Sequence, residues 1–316
     1  LRHNFGSSST VPVDSLRNKA WVEAHGHTPS IMDYARFNYV AQPEDNISRA
    51  GIFPRINDYD EWAIRWGYTY LPDAKDEDDD HRLMEEMTAK SQENPRLWWG
   101  DGETSLGRLD PRCQTEDLGD DAMKASTYGI QNLKYEISRL PEWTSDDPKD
   151  IYGDALERMY QQIRGQFLRY CGHVTRNIGG VLYTYRTKEQ PGDKYVPQPL
   201  EKQKAALKFM DEQVLHEPMW LRDMSYAQRF TANPEELTLG VGTVCMRMLM
   251  DRLDVKNETY TPQAYLTDLT RLVFSEARTG EKVSSYRKNL QSQMLEHLLR
   301  ANGNSNAYIQ PAVLYT

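Results

Sequence analysis

Two short strings carry most of the chemistry in this sequence: Leu1-Arg2-His3-Asn4 at the start, and Ser30-Ile31-Met32-Asp33-Tyr34 a little further on. A histidine nitrogen can ligate a metal, and a tyrosine phenol can donate to a developing negative charge. His25 and His27, separated by Gly26, could offer a second metal-binding pair. The plainer account is a Gly-rich turn ahead of the pentapeptide, with His27 held in reserve as a hydrogen-bonding support. Glu116, Asp117, Asp120 and Asp121 could present hard oxygens to calcium, but they lack the spaced ligand-and-Gly pattern of a calcium loop. Negative charge at a helix N-terminus is the favoured reading of that cluster. The run Asp76–Asp80 reads as a solvated face or loop, and His173 as a packed or surface histidine.

The order of the two strings resembles the metzincin zinc peptidases. In that family zinc is bound by H-E-x-x-H-x-x-G-x-x-H, where two histidines one helical turn apart share a face and the last histidine closes the site. Leu1-Arg2-His3-Asn4 is similar to the tail of that motif, and Ser30–Tyr34 is similar to the Met-turn of astacins and serralysins. The intervening loop contains Gly6, Ser7, Ser8, Ser9, Pro12, Gly26 and Pro29, in keeping with the family. The resemblance implies that His3 is a zinc ligand, that Met32 forms the apolar floor beneath the metal, and that Tyr34 ligates zinc or stabilises the oxyanion. It also implies that residues 35–43 line the wall for the substrate side chain after the scissile bond. The first forty or so residues carry the motif support, and the remainder resembles large bacterial zinc-dependent metalloproteases of this kind.

One part of the pattern is missing. The chain contains no H-E-x-x-H, hence neither of the other two histidine ligands nor the general base. The expectation is therefore a fragment of a metalloendopeptidase that is inactive alone and does not retain Zn2+. Its partners would be a peptide or protein substrate and the missing N-terminal part of the protease domain. Leu at position 1, in place of Met, agrees with an excised or processed fragment.

The elements that must position these residues are mainly helical. Up to about residue 70 the chain is irregular, until Tyr59, Trp62, Ala63 and Trp66 fall at helical spacing before Gly67. Asp-Gly, Asp-Pro and Leu-Gly punctuation from residue 73 to 119 reads as an acidic connector. Beyond it, Asp147-Pro148, Asn233-Pro234 and Thr261-Pro262 announce helix starts. A long stripe of Ile151, Ala155, Met159, Ile163, Phe167, Tyr170, Val174 and Ile178 stops at Gly179-Gly180. Gly165 and Gly172 inside it suggest close helix packing. Val181–Tyr185 is the one convincing strand. The expected organisation is a metzincin C-terminal subdomain over 1–70, an acidic connector over 71–118 and a helical bundle over 119–316, a mainly α fold with little strand.

Composition limits the alternatives. With 27% charged and 39% apolar residues the chain can build a core. A net charge of −9 argues against a nucleic-acid partner, which needs clustered Lys and Arg. Three distant cysteines, Cys113, Cys171 and Cys245, support neither a disulfide framework nor a cysteine zinc site. No apolar run is long enough to span a membrane. Proteases of the resembled kind are exported, which points to the periplasm or cell surface. The competing reading is a non-enzymatic helical binding or scaffolding module, and the two separate on whether His3 and Met32 meet.

Overall fold

The computed structural model describes residues 4–91, 93–103, 109–145, 150, 152–186, 190–255 and 257–303. Within them the protein is mainly α, with eleven α-helices and two short strands. The contacts divide the chain into two compact units, residues 1–128 with 182–194, and residues 129–181 with 195–316.

The first unit is loop-rich. Asn18 caps α1 (Lys19–His25) by accepting from the Trp21 amide at 3.1 Å, and Gly26 ends it at a φ of +72° that side chains disfavour. A short α2 (Arg49–Ile52) follows, then α3 (Asp58–Tyr68). In α3 the predicted face is only partly buried: Tyr59 and Ala63 are in the core, Trp62 is half-buried and Trp66 is 41% exposed, and the helix runs one residue past Gly67. An Asn57–Asp60 capping box opens it.

Residues 71–118 fall within this same unit and carry α4 (Glu77–Ser91). The acidic run lies at the N-terminal end of α4, where Glu77, Asp78, Asp79 and Asp80 complement the helix dipole. The Glu116–Asp121 cluster disperses into separate duties. Glu116 pairs with Arg36 at 2.8 Å, Asp120 accepts from the Val13 amide, and Asp121 accepts from the Met123 and Lys124 amides to cap α5 (Ala122–Trp143).

The second unit is a bundle. Its α6 (Asp154–Thr175) is the long helix expected from the sequence, although the predicted Asp147-Pro148 start and Ile151 lie outside the described residues. The buried stripe is rotated from the expected one at its N-terminal end. Leu156 and Tyr160 are buried, whereas Met159 is 44% exposed. The reading of the glycines also needs correction. A Cβ added at Gly165 or Gly172 would meet nothing within 4 Å, so neither is there to admit a close neighbour. The tight approaches are elsewhere: a Cβ at Gly129 would fall 2.6 Å from the Tyr170 ring, and one at Gly242 2.9 Å from Tyr286.

Strands β1 (Val181–Tyr183) and β2 (Tyr195–Pro197) pair in a two-stranded sheet. They precede α7 (Leu200–Met210), α8 (Glu235–Met250), α9 (Pro262–Val273), α10 (Glu276–Thr279) and α11 (Ser285–Gly303). The Asn233-Pro234 and Thr261-Pro262 signals mark the starts of α8 and α9, and the Thr261 hydroxyl accepts from the Ala264 amide. Helix α8 packs against α6 and α11.

Buried tyrosines knit this bundle. Each spends its hydroxyl on a main-chain carbonyl: Tyr160 on Leu221, Tyr265 on Leu249 and Tyr286 on Val214. The Arg287 guanidinium pairs with Glu276 and donates to the carbonyls of Leu215, Leu272 and Val273, satisfying acceptors at the end of α9. Cys113, Cys171 and Cys245 are buried and free.

Candidate metal-floor site

The site is built where the first few residues meet the turn at 30–34. Asn4 is fully buried, and its amide donates to the Met32 carbonyl at 3.3 Å. Its side chain is equally committed. Asn4 Oδ1 accepts from the Gly6 and Gly100 amides, both at 3.1 Å, and Nδ2 donates to the Trp98 carbonyl. The Phe5 amide continues the pairing by donating to the Gly100 carbonyl at 2.9 Å.

This crossing requires glycine. A Cβ at Gly6 would fall 2.2 Å from the Trp98 ring, and one at Gly100 would fall 2.4 Å from Cys113 Sγ. Trp98, Gly100 and Cys113, in a stretch that the sequence presents only as punctuation, thus pack against the stretch at Asn4–Gly6.

The turn itself is clamped from both ends. Asp60, on the first turn of α3, accepts from Ser30 Oγ at 2.7 Å and the Ile31 amide at 2.9 Å, as well as from the Asn57 amide at its own helix start. Ser30 Oγ in turn accepts from the Met32 amide at 3.0 Å. Asp33 faces the other way: its Oδ2 accepts from Ser7 Oγ at 2.9 Å and the Ser8 amide at 2.7 Å, with Thr28 beside them. Burial pushes the Asp33 carboxyl up to about 6 despite these donors, which act to lower it. Its Oδ1 has no partner among the described residues.

His27 supports the exit of the turn. It is fully buried, and Nε2 donates to the Ala35 carbonyl at 3.0 Å, which fixes the proton on that nitrogen. Burial is the main cause that brings its pKa down to about 4, so the ring is neutral. His25 is exposed and packs on Trp21, so the two histidines do not form a metal-binding pair. The reserve reading of His27 as a hydrogen-bonding support is the one the geometry favours.

Met32 is half-buried in this frame. Tyr34 is 40% exposed, and its ring stacks on Phe5 with centroids 4.9 Å apart and planes 15° apart. The phenol is thereby presented from a surface shared with the stretch that follows His3. His3 itself lies outside the described residues.

Among the described residues there is no group of three or more His, Cys, Asp or Glu side chains that could hold a metal ion. The described residues therefore do not by themselves make up a zinc site. Also among the described residues, no helix is long and apolar enough to cross a membrane.

The sequence carries no local sign of what Asn4, Ser7, Ser8, Asp33, Asp60 and Gly100 do. A buried polar residue bonded to a partner thirty or a hundred positions away leaves no local spacing signal. The only hint was the density of Ser, Thr, Asn and Asp around the pentapeptide.

Comparison with known proteins gives a family. No curated protein and no solved structure matches the chain. The Met-zincin family model, however, matches residues 1–281, a span that takes in both the Asn4–Met32 junction and most of the helical bundle. The chain belongs to the Met-zincin family.

Proposed function

We propose that this chain is the C-terminal part of a zinc-dependent metalloendopeptidase, supplying the third zinc histidine and the floor of the site to a catalytic helix that it does not itself contain. The observation that carries the reading is the hydrogen bond from the Asn4 amide to the Met32 carbonyl at 3.3 Å, which puts the residue next to His3 against the turn. A five-residue coincidence would give no reason for those two strings to meet.

In this reading His3 is a metal ligand, Met32 packs beneath the three imidazoles, and Tyr34 donates its phenol to the developing oxyanion from its seat on Phe5. Zinc, when bound, supplies a water made acidic enough to attack the scissile carbonyl. The H-E-x-x-H histidines and the general base would come from residues outside this chain. Alone, the chain neither hydrolyses peptides nor retains zinc.

The test is the zinc content of the protein extended to include an H-E-x-x-H segment, measured beside that of the present chain. One zinc per extended chain, lost on His3→Ala and absent from the present chain, is the expected result. No zinc in the extended protein would leave the helical binding module as the account.

A further inference from the structure

The end of α6 and the turn after it form a polar knot within the second unit. The carbonyls at 172–175, 177, 178 and 180 each accept a hydrogen bond, so the acceptors that a helix end leaves bare are spent here. A relay of bonds continues outward. The Gly179 amide donates to Gln203 Oε1 at 2.8 Å, Gln203 Nε2 donates to Thr259 Oγ1 at 2.9 Å, and the Thr259 hydroxyl donates to Asn257 Oδ1 at 2.6 Å. The same Asn257 oxygen accepts from the Thr259 and Tyr260 amides.

Two side chains here have hydrogen-bonding capacity to spare, and in both it is donor capacity. Asn257 is 5% exposed, and its Nδ2 has no partner among the described residues. Arg252 stands on the single-turn 3-10 helix Asp251–Asp254 after α8. Its one hydrogen bond among the described residues runs from Nε to the Ile178 carbonyl at 2.8 Å, which leaves its Nη groups over. Gly179 keeps the space beside them open. Its φ of +70° favours glycine, and a Cβ there would fall 3.7 Å from Arg252 Nη2 and 3.0 Å from Val255.

Charge points the same way. Burial holds the Arg252 guanidinium below its usual range and the Arg176 charge adds to that, while Tyr265 and the exposed Asp251 oppose it. Among the described residues Arg252 forms no ion pair with a carboxylate. A half-buried cation and a buried amide donor, both short of acceptors, are costly to leave as they are.

We infer that Gly179, Arg252 and Asn257 line a binding site for a small phosphate-class oxyanion. The Nη groups of Arg252 and the Nδ2 of Asn257 carry about six N–H donors between them, more than the roughly four lone-pair sites of a carboxylate can take. The burial of Asn257 limits the bound group to a small one. The site lies in the helical bundle and is independent of the metalloprotease reading.

The experiment is calorimetric titration of the whole chain with inorganic phosphate, in chloride buffer at constant ionic strength. One saturable site per chain is expected, with acetate at least about tenfold weaker. Arg252→Gln should weaken phosphate binding by about 10–100-fold, the equivalent of a lost charge-assisted hydrogen bond. Asn257→Asp keeps the oxygen that accepts from Thr259 and Tyr260 but replaces the spare donor with negative charge, and should weaken binding at least as much. Because that variant preserves the relay, it keeps the test open should Arg252→Gln not fold.

Absence of saturable phosphate binding overturns the inference. Wild-type affinity in Asn257→Asp or in a folded Arg252→Gln also overturns it, by placing the anion elsewhere. Acetate binding as tightly as phosphate overturns the assigned ligand class. O-phosphoserine, titrated in the same way, separates the sources: tighter binding than inorganic phosphate supports the site with an esterified phosphate as its ligand, and weaker binding supports it with the free anion.

Discussion

The two units of this protein are stabilised by different physics. The second is a helical bundle whose interior is large side chains, Tyr160, Phe167, Tyr170, Tyr265 and Tyr286, with the hydroxyls of Tyr160, Tyr265 and Tyr286 discharged onto carbonyls. The first is irregular chain whose interior is threaded by Asn4, Ser7, Ser8, His27, Thr28, Ser30, Asp33, Asn38 and Asp60. Apolar burial is non-directional and tolerates many sequences, whereas a buried hydrogen-bond network fixes particular atoms at particular distances. The turn at 30–34 is held by the second kind of interior.

Substitutions in each unit can break this contrast. The largest effect belongs to the bundle: Phe167→Ala, which empties a fully buried site against Trp220, should cost about 4 kcal/mol by urea unfolding. Amide protection in residues 4–128 should be unchanged, and a comparable loss there would mean that the units are not separable in stability. In the first unit, Asp60→Ala strands the Ile31 and Asn57 amides and the Ser30 hydroxyl, at a cost of about 3 kcal/mol. Hydrogen exchange should then accelerate in residues 28–35 and 58–68 and nowhere in α8 or α11.

A pH experiment sharpens the contrast. His27 is held neutral with its pKa brought from 6.5 down to about 4, so its contribution is present above 6.5 and lost as pH falls toward 4. Asp33 has the opposite sign: raised from 3.8 to about 6, it favours the folded state below 3.8 and loses that contribution as pH rises through 6. Between pH 6.5 and 5 the His27 contribution amounts to about 2 kcal/mol, set against the Asp33 gain. His27→Asn should therefore make the first unit grow more stable as pH falls from 6 to 5, where the parent is nearly flat. An unchanged pH profile in urea titrations at the two pH values would show that His27 does not titrate out of a buried neutral state.

The smallest effect is a gain. Gly165→Ala fills open space in the middle of α6 and should raise stability by about 1 kcal/mol, while Gly129→Ala, facing the Tyr170 ring at 2.6 Å, should lower it. Thermal melts of the pair decide whether the packing described for these glycines is right.

The same contrast governs how much could be read from the sequence. Helical period and the Asn233-Pro234 and Thr261-Pro262 punctuation are local signals, and α6, α8 and α9 were legible from them. The Ser30–Tyr34 string was legible because a turn of that composition resembles the family pattern. The partners Asn4–Met32, Asp33–Ser8 and Asp60–Ile31 join positions 25 to 29 residues apart, and no period or motif encodes them. The stretch around Trp98 and Gly100 reads as connector because glycines and acids mark turns equally well in a linker and in a tightly crossed backbone. The rotated stripe on α6 has a simpler cause: Leu156 and Met159 both fit an apolar pattern, and only the tertiary neighbours choose between them.

The central claim is that His3 and Met32 belong to one zinc site. Anomalous diffraction at the zinc absorption edge, from crystals of the protein extended to include the H-E-x-x-H segment, tests it most directly. The account predicts a single strong peak at a His3 ring nitrogen, above the Met32 side chain and within reach of Tyr34. A peak placed away from His3, or no zinc peak from a protein that folds, would contradict it.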